Sequence, residues 1–190
     1  MTDKEIQALY IEFSVPESII KHMRKVAEVC EKLCDELTKS GQKLNKKLIT
    51  KTAKIHDVLR YVDFSDKSFE EFCNNQEEDK VKTWRFYREK YQKIGHEQAI
   101  AKVLKERGQQ EMAKIVEKHG IFSVSSLKTL EEKVLFYGDK RVERDKVVSL
   151  KKRFEEGRKR NLRPTDDLKK VAEVEAKVYK LEKELLLLCK

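Results

Sequence analysis

All four histidines of this chain fall in one ordered series with two aspartates: His22, His56-Asp57, His96, His119 and Asp139. His56 and Asp57 are adjacent, in the stretch LITKTAKIHDVLRYVDF. Imidazole and carboxylate together suit borderline divalent metals such as iron, manganese, cobalt, nickel or zinc. The series points to a metal site assembled from several segments, and to metal-assisted hydrolysis, because a bound cation can activate water and polarise an ester. Phosphoryl oxygens also need cationic partners. Arg60 lies three residues past Asp57, Lys140 directly follows Asp139, and Arg153 lies further along; these are the candidate substrate-binding cations.

The elements that must position these groups read as helices. Ser14-Val-Pro-Glu17 has the residues of a helix start, with Ser14 as cap, Pro16 early and Glu17 at capping-box spacing. Ile19, Met23, Val26, Val29, Cys30, Leu33 and Leu37 continue as an apolar stripe with His22 beside it, and Gly41 provides a left-handed stop. A second helix is expected from after Asn45 to about Tyr61–Asp63, carrying His56, Asp57 and Arg60. Residues 63–80 are polar and acidic and read as a lid or insertion. Lys82, Trp84, Arg85, Tyr87 and Arg88 form a basic aromatic helix whose rings are expected to pack in the core. Further helices open at Gly95-His96, span about 109–118 before His119-Gly120, and run from a Thr129 cap to Gly138-Asp139. A long charged helix is expected from about Glu143 to Arg160.

Pro164-Thr165 breaks the chain. After it Val171, Val174, Val178, Leu181, Leu185 and Leu188 recur with a period of 3.5 residues. This seam carries none of the candidate ligands. It is expected to dock on the chain's own domain, a homodimer being the alternative. The expected organisation is therefore a helical domain over residues 1–163 and a terminal amphipathic helix over 164–190.

Few glycines and prolines and 41% charged residues fit an all-α protein. The net charge of +9 favours an acidic partner. A small phosphorylated molecule, a nucleotide above all, is expected ahead of nucleic acid. Four scattered cysteines without a C-x-x-C pair read as reduced thiols. The N-terminal stretch lacks signal-peptide character, and the Leu185–Leu188 run is too short for a bilayer, so a cytoplasmic protein without membrane contact is expected.

Four blocks, in order, resemble the HD superfamily of metal-dependent phosphohydrolases: VPESIIKHMRKVAEV, AKIHDVLRYVDF, GHEQAIAKVLKERGQQEMAKIVEKHG and TLEEKVLFYGDKRVERDKVVSLKKRF. The resemblance covers about residues 14–160 and implies an HD-type helical bundle with the site at its middle. It implies that His22, His56, Asp57 and Asp139 hold one metal. It also implies that His96 and His119 are the added histidines of two-metal members, with Asp57 as the bridge. Asp57, His96 and His119 are on this reading the catalytic groups. The chain departs from the usual pattern at Val58-Leu59, where many members have Ile-Gly, and at Gly138, where alanine is common. A di-iron oxygenase on the same scaffold and a non-catalytic basic binding module are the competing readings.

Overall fold

The computed structural model describes residues 1–161 and 167–190. Ten α-helices account for most of the described chain. The first is α1 (Asp3–Glu12), where Thr2 and Glu5 form a reciprocal capping box. Ile6, Leu9 and Tyr10 turn inward from it. No helix was expected there, although the spacing of Thr2 and Glu5 is a legible start signal.

The long helix α2 (Glu17–Lys39) begins at Pro16, not on a Ser14 cap. Ser14 is consumed in the tight reversal from α1, at φ +47°, and its carbonyl accepts from Trp84 Nε1 at 2.8 Å. Gly41 has φ +83°, and Gly41 and Gln42 donate to the carbonyls of Thr38 and Leu37, so the expected left-handed stop is present.

The second expected helix is much shorter. α3 (Lys46–Ala53) ends before His56, and residues 54–59 form turns leading to a 3-10 segment, Arg60–Asp63. The acidic stretch is not a loop. It holds α4 (Asp66–Cys73), whose Phe69 and Cys73 are buried, and the start of α5 (Glu78–Tyr91), which buries Trp84 and Tyr91. The aromatic residues of the basic helix thus serve mainly in packing, with Phe86 left exposed.

There follow α6 (Gly95–Glu106), α7 (Gln110–Val116), a 3-10 segment at Ile121–Ser126, and α8 (Leu130–Lys140). Thr129 and Glu132 form a complete capping box on α8. Thr129→Ala should cost about 1 kcal/mol. In a domain of this size that lowers the melting temperature by roughly 2–4 °C. An unchanged thermal transition would show that the cap contributes nothing.

The expected helix from Glu143 is interrupted by a small antiparallel hairpin, β1 (Val142–Glu143) and β2 (Lys146–Val147), which turns through Arg144 at φ +56°. Helix α9 (Leu150–Asn161) starts only after it. The Pro164-Thr165 break and the 163/164 boundary lie outside the described residues. The terminal helix, α10 (Leu168–Leu188), is capped by Asp167.

The interior has two apolar clusters, and α2 crosses both. Ile19, Ile20 and Met23 belong to the first, with α1, α4, α5 and α6. Val26, Cys30, Cys34 and Leu37 belong to the second, with α3, α8 and α9. Val178, Leu181 and Leu185 of α10 are buried in that second cluster, so this part of the seam is covered by the chain's own helices, while Val171, Val174 and Leu188 are only partly buried. Tyr137 and Lys133 of α8 bind Glu182 and Glu184 across this contact. His22 lies between Ile20 and Val26, at the junction of the two clusters. The chain passes from Ala53 in the second cluster to Ile55 in the first immediately before His56. All four cysteines are free. Among the described residues no helix is long and apolar enough to cross a membrane.

Candidate metal centre

The six residues of the series converge at this junction. Three of the histidines are held in the same way. Ala53 ends α3 and Val116 ends α7, so neither carbonyl has a donor four residues on, although Val116 O also accepts from the His119 backbone N–H at 3.3 Å. His56 Nδ1 donates to Ala53 O at 2.7 Å, and His119 Nδ1 donates to Val116 O at 2.5 Å, each ring standing three residues past the helix end. His22 Nδ1 donates to Arg144 O at 2.7 Å, a carbonyl presented by the hairpin turn. A carbonyl only accepts, so the proton sits on Nδ1 in each case and the Nε2 lone pair is free to face a cation.

Those Nε2 atoms point at carboxylate oxygens. His22 Nε2 is 3.1 Å from Asp139 Oδ1, and His56 Nε2 is 3.6 Å from the same oxygen. Both are 3.8 Å from Asp57 Oδ2. The other oxygen of Asp57, Oδ1, lies 3.0 Å from His96 Nε2 and 3.3 Å from His119 Nε2. Asp57 therefore faces two ligand groups with its two oxygens. His56 Nε2 is buried without a hydrogen-bond partner. A buried lone pair aimed at anionic oxygens is costly unless a cation stands between them.

The residues fit a divalent ion. His22, His56 and Asp139 offer ligand atoms within 4.8 Å of one another, as do His56, Asp57 and His119. His96 and His119 bring their Nε2 atoms to 3.0 Å. Two nitrogens bound to one ion at about 2.1 Å can be at most about 4.2 Å apart, a limit these two satisfy.

The charges are arranged accordingly. Burial opposes ionisation of Asp57, but His56, His119 and His96 outweigh it and hold the carboxyl well below the usual range. Burial is likewise overcome at Asp139 by Lys140, His22 and His56. Burial pushes the His119 pKa down, which favours the neutral ring that a ligand needs. At His96 burial and Arg60 push the pKa down, yet Asp57 and Asp63 prevail and raise it to about 9.

Asp63 and Glu97 were not among the expected site residues. Asp63 Oδ1 accepts from the His96 backbone N–H at 2.9 Å, and its Oδ2 accepts from His96 Nδ1. One carboxylate thus caps α6 and fixes the imidazole. Gly95 enters the helix at φ +78°, a conformation that favours glycine. Glu97 Oε2 lies 3.2 Å from His96 Nδ1, and its Oε1 fills the space beside Gly120. The adjacency of His96 and Glu97 is visible in the sequence; nothing in the spacing ties Asp63 to a histidine 33 residues later.

The three candidate cations differ in circumstance. Arg60 Nη1 is 3.2 Å from both ring nitrogens of His96 and 3.7 Å from Asp63, so it makes no single directed bond to the ring. Its position comes from the turn after His56, not from a helix face. Lys140 is buried, with Nζ bonded to Asp139 Oδ2 and, at 2.9 Å, to the His119 carbonyl. Arg153 is engaged by Glu143 at 2.7 Å. All three line one cavity of about 770 Å³ that also exposes Asp57, His96, His119 and Asp139.

The family described as HD domain matches residues 19–156, which span all six residues of the series. The chain belongs to the HD domain family. No curated protein and no solved structure matches it. The HD domain is typically a metal-dependent phosphohydrolase, and the His/Asp clusters of this one can hold a divalent metal. The matched segment ends within α9, so α10 lies beyond the HD domain match although its apolar face completes the second cluster.

Proposed function

We propose that this HD domain is a phosphohydrolase that uses two divalent ions to hydrolyse a phosphate ester or anhydride of a small organic molecule, a nucleotide being the favoured class. The observation that carries this reading is Asp57, whose two oxygens face two separate histidine groups. His22, His56 and Asp139 would hold one ion and His96 and His119 the other, with Asp57 shared between them. When bound, such ions polarise a phosphoryl oxygen and lower the pKa of a coordinated water.

The chain's own residues do the remaining work. The carbonyls of Ala53, Val116 and Arg144 fix three ring tautomers, and Lys140 orients Asp139. Arg60 stands at the cavity wall beside His96, where it can neutralise phosphate oxygens. Asp63 sets the orientation of His96.

Metal analysis of the purified chain, with a phosphatase screen across iron, manganese, cobalt, nickel and zinc, tests the reading. Two ions per chain and one in His96→Ala are expected, together with phosphate release from a nucleotide. One ion in the fully loaded protein would instead assign His96 and His119 to direct contact with the phosphate as proton donors. Oxygen consumption by the iron form without phosphate release would favour an oxygenase.

Asp63→Asn separates orientation from ligation. The amide oxygen can still cap α6, while the charge that holds His96 Nδ1 is lost. Metal affinity at the His96–His119 position should fall about tenfold, the lower end of outer-shell effects, with little change in folding stability. Unchanged affinity would leave Asp63 as a helix cap only.

A further inference from the structure

The cavity continues past the ligands, and its outer part has a different chemistry. At its floor are carboxylates and imidazoles. Its outer wall is built by Phe122, which follows His119 by three residues, by Phe154 of α9, and by Val171 and Val174 of α10. Arg158 of α9 and Glu175 of α10 close a paired ionic contact at 2.5–2.6 Å beside them, which ties the two helices across the cavity edge. Its volume of about 770 Å³ lies within the range of about 300–1,000 Å³ usual for organic ligands. Phe122 is 77% exposed, although it sits in a short 3-10 segment against which α10 packs.

We propose that this outer wall is a recognition subsite for the organic part of the substrate, and that it takes a planar aromatic ring such as the base of a nucleoside phosphate, with Phe122 as the stacking surface. The assignment rests on the phosphohydrolase reading above, which places the phosphate at the ligands. A ring lying between Phe122 and the valines of α10 removes apolar surface from water on both sides. Stacking of a base on an aromatic side chain is worth about 1–3 kcal/mol, or roughly 5- to 150-fold in affinity. Phe122 and Phe154 lie within the family match and the valines of α10 beyond it, so the subsite is completed by the chain's own extension and selects the substrate without touching the reacting phosphorus.

Equilibrium binding to the metal-loaded full chain tests the subsite without requiring turnover. The probes are the 5′-phosphonate analogues of adenosine and of ribose. The wild-type protein should prefer the adenosine analogue by about tenfold or more. Phe122→Ala and, separately, Val174→Asp should reduce that preference to about twofold or less. Metal content and affinity for the ribose analogue should hold. Phe122 is exposed, so its removal should not disturb folding; the thermal transition checks the same for Val174→Asp. Equal affinity for the two probes in the wild type, no binding of either, a preference that survives both substitutions, or equal weakening of both probes would each overturn the proposal. Binding with the expected preference but no hydrolysis of adenosine 5′-mono-, di- or triphosphate or of a cyclic adenosine phosphodiester would uphold the subsite and remove the hydrolase reading.

Discussion

Asp57→Ala should abolish hydrolysis and strip the protein of at least one metal ion. Asp57 is the residue whose two oxygens meet both histidine groups, at 3.8 Å on one side and 3.0–3.3 Å on the other. Alanine leaves five imidazole and carboxylate groups in place but removes the carboxylate that, among the described residues, faces both histidine groups. Metal-assisted stabilisation of a phosphoryl transition state is worth several kcal/mol, on the order of 10³-fold in rate. The expected result is a fall in kcat/KM of at least about that size, with metal content reduced from two ions to one or none. The fold should persist, because the change removes a buried charge and leaves both apolar clusters intact. Full activity in a folded Asp57→Ala protein would refute the proposed site.

Gly138→Ala should destabilise the protein, and Cys30→Ala should reverse the sign of that effect. Gly138 lies in α8, where it meets α2. A Cβ built there falls 2.4 Å from Cys30 Sγ, while Val26 remains at an ordinary 3.8 Å. Cys30 is fully buried, with Sγ near the Val134 carbonyl at 3.6 Å, so it has little room to withdraw. Overpacking of this kind costs about 1–3 kcal/mol. Alanine's better helix propensity offsets about 1 kcal/mol of it. At 2.4 Å the obstruction is severe enough to place the cost in the upper part of that range, about 2–3 kcal/mol, so a net loss of about 1–2 kcal/mol is expected for the single change. In a Cys30→Ala background the obstruction is absent and the propensity gain remains. Gly138→Ala should then stabilise by about 1 kcal/mol. Denaturant unfolding of the four proteins of this cycle measures the coupling. A Gly138→Ala protein as stable as the wild type would show that the two helices are not in such close contact. Asp139 is the next residue, so metal affinity should follow the same order.

Alanine is common before the final aspartate of HD proteins, and this chain has Gly138 there instead. The contact with Cys30 gives that departure a physical reason. Within this chain the cysteine occupies the volume that an alanine methyl would take, and neither residue's meaning is visible without the other.

The helical class, the Gly41 stop, the Thr129 cap and the membership of the six-residue series could all be read along the chain, because each depends on residues a few positions apart or on residue type. Spacing along the chain misled where tertiary contacts outweighed local preference. The segment 54–63 has helical periodicity, yet it is wound into turns, because His56 must bend back to Ala53 while Asp57 reaches two groups on opposite sides. The helix expected from Glu143 is broken by a hairpin whose Arg144 carbonyl holds His22. The acidic stretch that read as a lid carries Phe69 into the first cluster. Asp63 could not be recognised as a partner of His96, since only the packing of α6 against the 3-10 segment brings them together. The same holds for α10. Its periodic valines and leucines announced that one face must be covered, but only the tertiary structure showed that the covering helices are the chain's own. Its first turns, meanwhile, wall the cavity above the candidate metal ligands. Sequence by itself determined which groups could bind a metal, because that follows from side-chain chemistry. Only the fold decided which lone pairs face one another, because that depends on where helices end and which carbonyls their ends leave free.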